Sequence, residues 1–566
     1  MLVGYLVFTT VLGARLAGKQ ATIRDFFLAG RKIPWPAVAG SNIATEISAV
    51  TLISVPASVY AVGGDLTYLQ LALGALLARI IVGIWFVRAF YEREIYSPYE
   101  YMGHWLGPQV RTVTSGLFVL GTVLGQSVRV LLTAIVLELI SGIPLWASIW
   151  LIGGAAVLWT WLGGITTVIW TDVIQFFVFL IGMIVALAFV LANLPGGWGE
   201  LIHQAGQSGK LRFWNLSTNP NEAFTLWTAV VGNTILCLAV YGTDQTMAQR
   251  MFCCRGRRQA AYAVIFSSIG LLVTVLAAGV GLGLFAFYRH FPLSGDALAA
   301  VKDQADRIFP VFVLEHMPVG VVGLIIAGIF AAAISTLDGV LVALSQVVIT
   351  GVYRPWRERG EERQRGNKAI RRGGQQGTEA RRHEEDDRHY VWVSKLLVVV
   401  WAVALCAMAQ VSKLAWDHYK DILNLALAMA TYTGGTLLAA FCLAFFRLNV
   451  DYRGILWAAP LSVLTVFAIS WHQPWAQWTA AILAAAIIVG WFVAVICRTE
   501  SRSARRDIAA SIVLLIAAGT AVFVSCFHYV GAGGVRHITV AWPWNVPIGF
   551  VVAFALGYLL ARPRGP

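Results

Sequence analysis

Charge is scarce in this chain. Asp, Glu, Lys and Arg make up 13% of its 566 residues, about half the share usual in soluble domains. That shortage excludes an ordinary water-soluble globule. No basic residue precedes the first apolar run, MLVGYLVFTTVLGARLAG, and no small-residue cleavage site follows it. That argues against a cleaved signal peptide and for a short first spanning helix. Short alternating segments, the mark of a membrane barrel, are also missing. The seven cysteines (237, 253, 254, 406, 442, 497 and 526) show no metal spacing and lie in or beside apolar runs. They read as buried or reduced thiols rather than a disulfide framework. No Ser/His/Asp or metal-ligand constellation is visible, which argues against an enzyme. The ten histidines fall mostly in loops, and His104 and His383 read as solvated or interfacial.

Apolar sequence fills the space that charge leaves. The chain is 58% hydrophobic, with mean hydropathy +0.71. Runs of spanning length recur from end to end, predicting an all-α integral membrane protein with one membrane domain. About fifteen helices of roughly twenty residues are expected. Their spans are 1–18, 34–62, 66–90, 112–141, 145–163, 166–193, 224–247, 260–288, 318–350, 391–411, 421–446, 454–471, 475–497, 508–528 and 545–561. With the N-terminus outside, inner loops and termini carry 32 Lys/Arg and outer ones 8. That bias fits the positive-inside rule and puts the C-terminus in the cytoplasm. It also accounts for the net charge of +13, so nucleic-acid binding is the wrong inference from this charge. The polar inner segment 351–390 reads as a solvated, disordered loop near anionic headgroups. Asn215-Leu216-Ser217 is a glycosylation sequon by pattern alone.

Few ionisable groups fall within the predicted spans: Glu46, Arg79, Arg129, Glu138, Asp172 and Asp338. Each costs about 2.5–3.5 kcal/mol at a helix centre, so each must be paired, cavity-facing or functional. For Arg79 and Glu138 the blander reading, a fixed ion pair between helices, is favoured. Glu46 differs because its surroundings, SNIATEIS at 41–48, have no continuous apolar face. Those side chains compete for the backbone, and Pro56 follows. A span interrupted near mid-membrane is expected, which is tolerated where it lines a cavity. In GIFAAAISTLDGVL, residues 328–341, three alanines permit close approach of another backbone. Ser335 and Thr336 then offer adjacent hydroxyls, with Asp338 about one turn on. Oxygen ligands without Cys or His suit a hard cation such as Na⁺. Asp172 lies in GGITTVIWTDVIQFF beside Thr171 and Gln175. Asp244, Gln245, Gln249 and Arg250, in YGTDQTMAQRMF, form either a polar latch at the inner face or a solvated helix end.

Together these stretches resemble the sodium/solute symporter family, which includes sodium–glucose, proline, iodide and sialic acid transporters. LAGRKIPW, SNIATEIS, YSPYEYMGHWLGP, WTDVIQ, GTDQTMAQR and AAAISTLDG occur in family order over roughly residues 1–450. The resemblance implies a LeuT-type fold with a 5+5 inverted repeat, one helix before it and about four after. The repeats would be 34–193 and 224–446, separated by an outer loop at 194–223, with 1–33 before them and 447–566 after. The first helix of each repeat is expected to be broken, the second at Val231-Gly232-Asn233-Thr234. The family's sodium site falls on the carbonyls of Ala44, Ile47 and Ala332 and the hydroxyls of Ser335 and Thr336. Asp172 matches a position tied in some members to a second sodium or to protons. Asp338 stands where sialic acid transporters have a serine of that second site. Glu46 matches an acidic residue important for sodium in proline transporters.

The resemblance also bears on the solute. Arg129, in VLGQSVRVLLTA, matches the arginine that holds the carboxylate in sialic acid transporters; Ser48, Thr51, Gln70 and Asn233 accompany it. The competing reading is an Arg129 salt bridge to Glu46 or Asp172. Cys237 and Val240 replace the asparagine and gating tyrosine of sugar transporters, which disfavours a hexose. Tyr241, one position on, is a candidate inner gate with Asp244, Gln245 and Arg250. The expected activity is sodium-coupled uptake of a small organic solute, such as a sialic acid-like compound or a monocarboxylate, from across the bilayer. A proton-coupled transporter on the same fold and a membrane sensor are the alternatives. The chain ends at ARPRGP without a soluble output domain, which lowers the sensor reading.

Overall fold

The computed structural model describes residues 22–357 except 48, 93 and 94; residues 376–496 except 420–427, 430 and 471–473; and residues 528–562 except 532, 533, 538 and 539. A few isolated helical residues are described outside those ranges, such as Gly4 and Arg15. The predicted spans 1–18 and 508–528 therefore lie almost wholly outside the described residues. Among those residues nine helices are long and apolar enough to cross a membrane, or ten with one bent pair counted.

The main helices are α1 (Trp35–Glu46), α2 (Ala49–Tyr60), α3 (Leu71–Ile81), α4 (Pro108–Ser141), α5 (Leu145–Asn193), α6 (Thr234–Thr243) and α7 (Gln245–Phe252). They continue as α8 (Leu271–His290), α9 (Val319–Val348), α10 (Gln376–Tyr419), α11 (Gly434–Phe445), α12 (Tyr452–Ser470), α13 (Pro474–Ile496) and α14 (Asn545–Leu559). A hairpin of β1 (His528–Gly531) and β2 (Gly534–His537) precedes α14.

Local chemistry explains where the helices stop. Pro34 caps α1 in an extended conformation, a natural start for a helix. After twelve helical residues Ile47 turns extended (φ −78°, ψ 100°), and the chain resumes in α2 bent by 52°. The Thr45 hydroxyl donates to the Ser41 carbonyl at 2.8 Å, the local competition that polar residues bring to a helix. α5 joins the predicted spans 145–163 and 166–193. Gly164 kinks it with φ 54°, ψ −156°, a region open in practice only to glycine.

Three expectations fail locally. The predicted break at 231–234 is instead a wide π-helical turn over Thr228–Asn233 that runs on into α6. Gly74 of α3 lies so close to the Ala229 carbonyl there that a Cβ would collide with it, and the wider turn accommodates that approach. The true interruption falls at Asp244, which is extended and caps α7 through Thr246 N at 2.7 Å. The segment 376–390, expected to be disordered, is the first part of α10. Within 421–446 the described helix begins only at Gly434, after a turn at 431–433.

Two faces are defined by loop contacts. On one, Ile33 N donates to Cys253 O at 3.1 Å, and Arg31 donates to Ile95 O at 3.0 Å. Arg111 there reaches Glu100 and the Thr350 carbonyl. On the opposite face Lys210, 4% exposed, donates to the carbonyls of Val59, Tyr60, Ala61 and Gly64 at 2.7–3.2 Å. One ammonium thus caps the end of α2 and fastens the 194–226 connection to it. The sequon Asn215 lies in that connection, buried, with its amide donating to Glu222 and the Phe224 carbonyl. α1 and α2 cross between the faces, and α9 packs against both.

Candidate functional site

Two cavities meet at the break between α1 and α2. One, of about 130 Å³, opens between α4, α6 and α11 and includes Thr122, Gln126, Asp244, Thr246, Met247 and Thr433. The other, of about 200 Å³, lies toward the Lys210 face and includes Thr51, Tyr68, Asn233, Cys237, Tyr241 and Trp542. Glu46, Arg129, Leu236 and Val240 border both and form the partition between them.

The charges around the partition are unequally matched. Glu46 forms an ion pair with Arg79, whose side chain is fully buried. The Tyr241 hydroxyl donates to the other Glu46 oxygen at 2.7 Å, and the Arg79 guanidinium sits 4.5 Å from the Tyr241 ring centre. Arg79 also donates to Ser267 at 3.2 Å. α1, α3 and α6 are thereby joined at the α1 break. Glu138 makes no such pair among the described residues; its carboxylate accepts from Leu145 N at 3.1 Å and caps the start of α5. Arg129, midway along α4, forms no side-chain hydrogen bond or ion pair among the described residues. The two carboxylates weighed as its partners are taken, Glu46 by Arg79 and Asp172 by Arg250.

That second pair belongs to a buried cluster between the first cavity and the Arg31 face. Arg250 donates to Asp172 at 3.2 Å, to Ser41 Oγ at 2.8 Å and to Thr246 O at 2.6 Å. Ser41 donates in turn to Asp172 at 2.5 Å. Asp338 is buried, accepts from Gly339 N at 2.6 Å, and adjoins this group. A Cβ on Gly339 would collide with the Arg250 guanidinium. Gln245 donates to Tyr96 O and to Gln346, and Gln249 donates to Phe27 O. All of Gln245, Gln249 and Arg250 are buried, so the solvated-helix-end reading does not describe them. Sequence reasoning missed that Arg250 and Asp172 are partners; the available signal was an aspartate inside a predicted span and an arginine just past the end of another, at the inner face.

The remaining candidates are placed as follows. Ala44 lies in the last turn of α1 and Ile47 just past it, where intrahelical donors run out. Ala332, Ser335 and Thr336 lie on α9, and Thr336 is buried. The side chains of Ala332 and Ser335, and the whole of Ser48, lie outside the described residues. Thr51 and Asn233 border the second cavity, and the Asn233 amide also donates to Leu71 O at 2.7 Å. Gln70 borders neither cavity: it is buried, donates to Thr67 O and Phe224 O, and accepts from Asn215 N.

A many-helix membrane protein with a spanning helix broken at mid-depth, beside paired cavities, has the build of a secondary transporter. Comparison with known proteins fixes which kind. The family model of the Sodium:solute symporter family matches residues 26–372. The Mus musculus sodium-coupled monocarboxylate transporter 2 is 27% identical over 459 residues, covering 80% of this chain and 68% of that one. The Homo sapiens sodium/iodide cotransporter is 29% identical over 441 residues, covering 78% and 64%. A solved Na⁺-coupled sialic acid symporter superposes with TM-score 0.71 at 21% identity, covering 100% of this chain and 98% of that one. The chain belongs to the sodium:solute symporter family. It has the LeuT-type fold, is a multi-pass membrane transporter, and takes up solute with sodium as the coupling ion.

Proposed function

We propose that the solute is a small organic anion, a monocarboxylate, held by Arg129. The single observation that carries this is a guanidinium left unbonded at the cavity wall. In the second cavity Glu46 is neutralised by Arg79, while Arg129 forms no ion pair or side-chain hydrogen bond among the described residues; Asp244, which lines the first cavity with it, acts on it only electrostatically. A planar guanidinium in a low-dielectric wall selects a carboxylate. Drug-sized ligand sites run to about 300–1,000 Å³, and cavities of about 200 and 130 Å³ favour a smaller solute than a sialic acid. The names of the monocarboxylate relatives agree with that choice.

Sodium, in this reading, bridges the α1 break and α9 through the carbonyls of Ala44, Ile47 and Ala332 and the hydroxyls of Ser335 and Thr336. The packing of α9 against α1 and α2 supports it. The two repeats are read as 34–193 and 224–446, with the Arg31 face cytoplasmic. Tyr241 is a gate beside Glu46, and the Asp244–Arg250 stretch is a latch at the cytoplasmic end. A second reading, coupling to a proton or second sodium, is favoured by one observation: Asp172 and Asp338 are two buried carboxylates against one guanidinium, Arg250.

Purified Arg129→Ala should lose uptake of labelled propionate yet keep the melting shift that sodium produces. Ser335→Ala should do the reverse, raising the sodium concentration for half-maximal uptake several-fold with uptake retained. Loss of the sodium shift in Arg129→Ala would make Arg129 a structural residue, and an unchanged sodium dependence in Ser335→Ala would remove that ligand.

A further inference from the structure

The second cavity is roofed from a part of the chain that the family match does not reach. Trp542 borders it, 8% exposed, from a short 3₁₀ turn over Trp542–Trp544 just ahead of α14. The family match ends at residue 372. Trp542 packs among Leu71, Ala229 and Ala428, with Tyr68 and Phe224 beside them. The turn is firmly seated. Ala541 N donates to Pro220 O at 2.9 Å, and Asn545 donates to Thr431 at 2.9 Å. A Cβ on Gly232 would lie 2.9 Å from Pro543 O, so the turn rests directly on the π-helical segment.

Polar partners in this cavity are few. Glu46 and Tyr241 are bonded to each other, and the Asn233 amide is committed to Leu71 O. Thr51, Thr274 and Tyr68 line it together with Arg129, among Leu71, Ala72, Leu236, Val240, Leu271 and Val275. A polyhydroxylated solute would leave buried hydroxyls unpaired there, at a cost of about 1–3 kcal/mol each.

We infer that Trp542 is a specificity-determining residue: it closes the end of the cavity away from Arg129 and limits the solute to a carboxylate with a short apolar body. This rests on the carboxylate reading of Arg129. With the head group held at the partition, the indole bounds the length of the tail and supplies its apolar contact.

The test uses the full-length purified protein at saturating sodium, with thermal shifts titrated for straight-chain carboxylates from acetate to octanoate and for N-acetylneuraminate. Wild type should bind the short acids and not the sugar acid. Trp542→Ala should weaken the short acids about tenfold, the loss of some 1.4 kcal/mol of contact, and move the best ligand at least two carbons longer. Trp542→Phe should fall between. The sodium-induced shift should be the same in all three. An unchanged chain-length profile in Trp542→Ala, with wild type binding the series, overturns the inference alone. Joint loss of the sodium and acid responses in both variants makes Trp542 a structural residue and overturns it too. A wild type that ignores the whole series while keeping its sodium response sinks the carboxylate reading, and this inference with it.

Discussion

Arg250 shows how much one side chain holds. It is wholly buried and bonds to α1 through Ser41, to α5 through Asp172 and to its own helix through Thr246, with Gly339 of α9 against it. Removing one partner of a buried pair leaves an uncompensated charge and typically costs about 3–5 kcal/mol. Arg250→Met should therefore lower the melting temperature markedly, because Asp172 loses its cation and Asp338 lies beside it. Adding Asp172→Leu should restore part of the loss, since a well-packed apolar pair can replace a buried ionic one. A double variant no more stable than the single one would show that the guanidinium is needed for its hydrogen bonds and not to balance Asp172. Glu46 was legible as unusual from its neighbours, and Arg79 as an ionisable group in an apolar run. That they neutralise each other was not legible. Their separation of 33 residues, across a bend, carries no sequence period.

Interruptions matter more than lengths among the helices. The α1 break could be read from SNIATEIS because polar side chains at successive positions deny a helix any apolar face. The second break was placed at Val231–Thr234 on the strength of a glycine and an asparagine. Those residues instead form a π-helical turn, and the chain interrupts at Asp244, an N-cap residue with its acceptor two residues before the amide it caps. Tertiary contact decided between them, since Gly74 of α3 approaches the 229–234 backbone closely. Gly164 is the comparable device in α5. Its backbone angles lie where a Cβ is strained by about 1–3 kcal/mol. Gly164→Ala should cost that much stability, measured by melting, or straighten α5 and slow transport. A variant with wild-type melting and wild-type uptake would show that the kink is dispensable.

At the scale of the whole molecule, uptake should follow the sodium gradient. Each sodium carried inward gains about 2.3 kcal/mol per 100 mV of membrane potential, beyond its concentration ratio. In proteoliposomes, propionate accumulation should require outside sodium and a negative interior, and should vanish in sodium-free buffer with a proton gradient alone. Accumulation in that buffer would transfer the coupling to Asp172 and Asp338. The membrane class and family order were readable from composition and motifs. The part played by the C-terminal region was not, because Trp542 and Leu71 are brought together by the fold over hundreds of residues.

Arg129 borders both compartments, and so do Leu236, Val240 and the bonded Glu46. On the proposed carboxylate reading, an anion crossing the partition would keep the same counter-ion throughout. Its passage would then be set by how readily the partition side chains move rather than by the loss of a charge partner.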